Sequence, residues 1–163
     1  MSFYLLNLWL TSPISPENGA HWIFIPAGLA LLLSLVFPIS GPLGITLAAF
    51  PIALYIRFPG ELIASLGIAI TAGLAPFISR SLVVNGLKIY PDLSNLSTRN
   101  LTLCVLIYSL VRALIHHNWY LFMDLRESDS NGFTIEFIGN TLGALLILFI
   151  FKFFASQYCR SKA

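Results

Sequence analysis

The stretch LTLCVLIYSLVRALIHHNWYLF, residues 101–122, decides what kind of molecule this is. A helix crossing a hydrocarbon core of about 30 Å needs roughly 20 apolar residues, and this stretch supplies them. Its one charged residue is Arg112, followed one turn later by His116-His117-Asn118. A lone arginine inside a span costs about 2.5–3.5 kcal/mol on insertion scales unless it faces a partner or water. The same segment therefore announces a bilayer and a polar feature that the bilayer alone does not explain.

Four further stretches on either side have the same character: residues 21–37, 43–58, 62–84 and 133–154. The second is the shortest and has Pro51 in its middle. Only Pro38–Pro42 separates it from the first, so the two also fit a re-entrant pair. Residues 1–19 read as an interfacial segment, with Tyr4 and Trp9 at headgroup level, and a polar link from Ser12 to Gly19. Residues 155–163 form a short basic tail. The 163 residues are 57% hydrophobic and 10% charged, with a mean hydropathy of +0.83. A soluble domain carries about 25% charged residues, so a water-facing globule is excluded, and disorder with it. The expected fold is all-α: one polytopic transmembrane helix bundle of five spans.

Lysine and arginine favour the cytoplasmic side of a membrane. Five spans place Arg80, Lys88, Arg99, Lys152, Arg160 and Lys162 on one side, and only Arg57 and Arg126 on the other. The expected orientation has the N-terminus out and the C-terminus in, across a bacterial inner membrane. The sequons at Asn95 and Asn100 then fall inside and carry no glycan.

Several function classes drop out. The net charge is +2 with no basic stripe, so nucleic acid is not an expected partner. Cys104 and Cys159 lie far apart and read as free thiols, and no metal-binding cluster is spaced along the chain. The loop Asp124–Gly132 fails the calcium-loop pattern, because Asp129 takes the glycine position and Arg126 a ligand position. No nucleophile elbow, HExxH or glycine-rich phosphate loop occurs, so no enzyme and no catalytic residue is expected. A haem held by His21 and His116 or His117 would need inward histidines at one depth, and His21 sits at the edge. No cofactor is expected.

The topology gathers the polar residues toward the outer leaflet. His21 and Trp22 open the first span, Arg57 ends the second, and Glu61 begins the third. Arg112 lies about 13 Å from Leu121, and Glu136 and Asn140 about 5 and 10 Å from Phe133, along their helices. Arg112 and His116 share a face at a spacing of four, with Trp119 continuing it; Glu136 and Asn140 share one likewise. An antiparallel neighbour would bring the two faces together, so Arg112 is expected to meet Glu136 or Asn140, with His116 alongside. That constellation is a clamp between helices, a snorkelling unpaired Arg112, or an outward-facing pocket for a small ligand or a partner helix, lined by Arg112, His116, Glu136, Asn140, Arg57, Glu61, His21 and Trp22. Gly139 and Gly143 form a GxxxG pair that lets two backbones approach, within this chain or against another subunit. Gly67 and Gly73 read as close-packing positions, and Pro26, Pro51 and Pro76 as kink sites.

The segment His21-Trp22-Ile23-Phe24-Ile25-Pro26-Ala27-Gly28, followed by Arg57-Phe58-Pro59-Gly60-Glu61-Leu62, resembles the membrane-associated sensor (MASE-type) domains that precede kinase and cyclic-dinucleotide modules in bacteria. Gly139-Asn140-Thr141-Leu142-Gly143 resembles that family's G-D-x-x-G stretch, with Asn140 where the acid stands. Those regions have more spans and an output module. The resemblance implies a stand-alone, sensor-like integral membrane protein that acts through a protein partner or a second copy, with the Gly139/Gly143 face as the expected contact. The rival expectations are an accessory subunit of a larger membrane complex and a substrate-binding membrane component of a small-molecule transporter.

Overall fold

The computed structural model describes residues 2–11, 22–86, 88, 90, 97–125 and 130–160. Every regular element among them is helical: α1 (Ser2–Thr11), α2 (Pro26–Val36), α3 (Ser40–Ile52) running on into a π-helical turn (Ala53–Arg57), α4 (Leu62–Gly86), α5 (Thr98–Phe122) and α6 (Ser130–Arg160). Four stretches are long and apolar enough to cross a membrane: Ser40–Arg57, Leu62–Gly86, Thr98–Phe122 and Asn131–Phe151. Their outward faces are apolar, with Leu47, Ile63, Phe122 and Phe149 all exposed, the reverse of a water-soluble bundle. These features mark a membrane protein.

The segment expected to cross at 21–37 is the exception, because its helix is only 11 residues long. Pro26 opens α2 at the first helical position, where a fixed φ and a missing N–H cost nothing. The residues before it are held outside the helix by long-range partners. The Phe24 N–H donates to the Gly139 carbonyl at 3.0 Å, and the Ile25 N–H donates to Oδ1 of the buried Asn7 on α1 at 2.8 Å. Gly139 is nine residues into α6, about 13 Å from its start. On α5, Arg112 sits over the Phe24 ring, ten residues or about 15 Å from Phe122. Both rulers put the start of α2 well inside the bundle, so α2 is a half-length helix packed at depth. The stretch feared too short, 43–58, belongs instead to a continuous helical run over Ser40–Arg57.

Small residues bring the helices together, as they must where lipid tails are as apolar as the side chains. A Cβ on Gly143 would run into the Phe24 carbonyl, and one on Gly28 would lie 2.6 Å from Ile147 Cβ, so α2 and α6 approach backbone to backbone. The contact made by Gly143 is therefore made inside this chain. Gly67 accommodates the Trp119 ring, whose Nε1–H donates to the Ala64 carbonyl at 3.3 Å, joining α4 to α5. Gly73 sits against Thr46 and the Pro42 carbonyl, joining α4 to α3. A hydrophobic core between α2, α5 and α6 contains Ala27, Leu31, Leu35, Val105, Tyr108, Ala144 and Leu148.

Candidate functional site

The two faces expected to meet do meet, but with a different pairing. His116 Nδ1 lies 2.7 Å from Glu136 Oε1, so the histidine, not the arginine, makes the hydrogen bond between α5 and α6. Arg112 Nη1 donates to the Tyr108 hydroxyl one turn back at 3.3 Å, and its guanidinium stands 5.0 Å above the Phe24 ring. The cause is side-chain direction. A helical Cα–Cβ bond tilts toward the N-terminus, so a long side chain on α5 leans toward Tyr108 and away from the level of Glu136. Asn140 is buried one turn along α6 from Glu136, and its Nδ2 has no hydrogen-bond partner.

Arg112 is 6% exposed and His116 1%. Arg112 Nε and His116 Nε2 are buried without a hydrogen-bond partner. Among the described residues no carboxylate lies within ion-pair distance of Arg112; Glu136 contacts His116 instead. A cation–π contact offsets part of the burial cost, about 0.5–2 kcal/mol, but does not neutralise the charge.

These side chains border a cavity of about 200 Å³ between α2, α3, α4 and α5. Its polar lining is concentrated at one end, where Arg112, His116 and Arg57 converge. Apart from Tyr4 of α1 the rest is apolar: Phe24, Leu29 and Leu33 on the α2 side, Ile45, Ala48 and Ile52 on α3, and Ile68 and Ala72 on α4. Gly44 and Ala48 line it and are exposed, and a Cβ on Gly44 would meet nothing within 4 Å, so the cavity is open along this part of α3.

Local backbone chemistry positions Arg57. The last turn before it is π-helical, with the Phe58 N–H bonded to the Ala53 carbonyl five residues back at 2.8 Å. The wider turn turns Arg57 toward α5, where its guanidinium lies 5.5 Å from the Tyr120 ring centre. The chain then reverses over Phe58–Glu61, with Pro59 and Gly60 at the centre. Gly60 has φ +84°, which a type II turn demands of its third residue and which glycine adopts without strain. The Glu61 N–H donates to the Phe58 carbonyl at 3.0 Å.

Of the residues read from sequence as one pocket, Arg112, His116 and Arg57 line the cavity, and Glu136 supports it through His116. Asn140 stands behind it. Glu61 and Trp22 are exposed and do not line it. His21 lies outside the described residues. Tyr108, Phe24, Tyr4 and Asn7 were not expected around the pocket; Tyr4, expected at headgroup level, lines the cavity. Tyr108 carried a signal, four residues before Arg112 on the same face; the other three act through contacts between segments remote in sequence. The chain matches no family model, no curated protein and no solved structure.

Proposed function

We propose that this chain is a sensor-like integral membrane protein of the bacterial inner membrane, whose cation-headed cavity binds a small ligand and which acts through a partner protein. The observation that carries the reading is the convergence of Arg112, His116 and Arg57 on one end of an otherwise apolar cavity, with Arg112 lacking a carboxylate partner. The His116–Glu136 hydrogen bond joins α5 to α6 as a clamp does, whereas Arg112 lines the cavity. The orientation that goes with it puts the Ser40, Gly86 and Thr98 helix ends and the C-terminus in the cytoplasm, following the lysine and arginine bias. The cavity's charged end then lies in the outer half of the bilayer.

The mechanism is a shift between packings of the α2–α3 cleft. A ligand moves such an equilibrium only by binding one packing better than the other, and the open cleft is where contacts can differ. The partner acts on a surface other than the Gly143 contact, which α2 occupies. The test is native mass spectrometry of wild-type protein and Arg112→Gln, both extracted from cell membranes into lipid nanodiscs. Wild type is expected to retain a bound small molecule that the variant loses; identical spectra contradict the pocket. Uptake assays in proteoliposomes separate the transporter reading, since a sensor binds without accumulating solute. Co-purification in a fixed ratio with a larger complex would favour the accessory-subunit reading.

A further inference from the structure

Resting on that pocket reading, the geometry points to a ligand class: we infer that the cavity takes a single-chain anionic amphiphile, a carboxylate or phosphate head on an unbranched apolar tail, admitted sideways from the bilayer between α2 and α3. Arg112 is more than nine-tenths buried, lines the cavity, and keeps a buried Nε with no partner. His116 lines the same cavity, and its Nε2 is buried without a partner, donating or accepting according to the ring's tautomer. A buried guanidinium with an unfilled donor calls for an acceptor that is negatively charged, and it binds planar carboxylates and phosphates with two parallel hydrogen bonds. The Glu136 carboxylate makes its hydrogen bond with His116 and none with Arg112.

The tail follows from what lies beyond the charged end. From Arg57 the cavity continues along α3 as far as Gly44, thirteen residues or about 20 Å of helix. Over that length Leu29, Leu33, Ile45 and Ile52 supply no hydrogen-bonding side chain, so a second polar group on the ligand would be buried unpaired. A small hydrophilic anion would satisfy Arg112 and leave the apolar length empty. The route is set by Gly44 and Ala48: both are exposed, and the helix they belong to has a lipid-facing surface at Leu43 and Leu47. The entrance therefore opens to acyl chains and not to water.

The experiment uses the full-length protein in phosphatidylcholine nanodiscs and two photoreactive probes, laurate and dodecyl phosphate, each with a diazirine near the tail end. After irradiation, labelled peptides are mapped by mass spectrometry. Labelling is expected on α2 and α3 between residues 29 and 52, competed by unlabelled laurate or dodecyl phosphate and at least tenfold less by dodecanol. Which probe labels more efficiently tells a carboxylate source from a phosphate source. Arg112→Gln is expected to cut labelling at least tenfold. Gly44→Leu, which fills the open side where no atom obstructs it and leaves every charge in place, is expected to do the same while folding normally. Competition by dodecanol equal to that by laurate, or labelling unchanged in both variants, overturns the anionic amphiphile. If a large excess of butyrate or inorganic phosphate displaces the probes as well as their own chains do, the tail is wrong while the pocket stands. Absence of labelling at the cavity in wild type also refutes the amphiphile, and the retained-ligand measurement then decides the pocket separately.

Discussion

The two sides of α2 use small residues in opposite ways. Toward α6, Gly28 and Gly143 leave no room for even a methyl group, and backbone touches backbone. Toward α3, Gly41 closes on the Leu33 carbonyl where the chain turns, but one turn on Gly44 has nothing within 4 Å of where its Cβ would stand. One side is a seam and the other a cleft, built from the same residue type on helices that share a partner. In lipid, small residues create interfaces only when the partner closes up. Where the partner stays back, as α3 does along Gly44 and Ala48, the same residues create space, and here that space ends on a buried arginine.

Substitutions can break this contrast. The largest effect is expected for Gly143→Leu. The side chain would have to displace the Phe24–Ile25 backbone, so the loss should reach about 3 kcal/mol or more and abolish cooperative unfolding. A thermal melt in nanodiscs measures it; a near-normal melt would mean that the seam is not closed. Gly67→Ala should cost about 1–3 kcal/mol, because Trp119 must leave its slot and give up its bond to the Ala64 carbonyl. Retention of the wild-type melt would show that the ring can shift freely.

Smaller effects sharpen the charged end. A double-mutant cycle on His116→Ala and Glu136→Ala should return a coupling of about 1 kcal/mol, the scale of polar contacts between membrane helices. The same cycle on Arg112→Ala and Glu136→Ala should return clearly less, since no ion pair joins them. A larger arginine coupling would reinstate the pairing that helix arithmetic alone expects. Smallest of all, Gly44→Ala should raise stability by about 0.5–1 kcal/mol, the usual helix gain where space is free. A loss there would mean that the cleft is closed in the bilayer.

Much of this was legible before any coordinates. Hydropathy identified the long helices because apolar residues dominate each of them. The fourfold spacing of Arg112 with His116 and of Glu136 with Asn140 placed two helix faces at one depth. The start of α2 was not legible. Trp22-Ile23-Phe24-Ile25 is as apolar as the helix after it, and only bonds to Asn7 and Gly139, distant in sequence, hold Phe24 and Ile25 out of it. The partner of Gly143 was hidden for a related reason: α2 and α6 are separated by three helices along the chain, and no local pattern records their contact. The swap between Arg112 and His116 as the partner of Glu136 turns on side-chain lean, which spacing does not encode.

The central claim is that Arg112 is a buried cation waiting on an anion from the bilayer. The direct measurement is a phosphorus–nitrogen dipolar coupling by solid-state NMR, on arginine-labelled protein in nanodiscs loaded with dodecyl phosphate. One guanidinium signal should be dephased by phosphorus, and that dephasing should vanish in Arg112→Gln and in Gly44→Leu. Dephasing that survives Arg112→Gln, or none in wild type, contradicts the account.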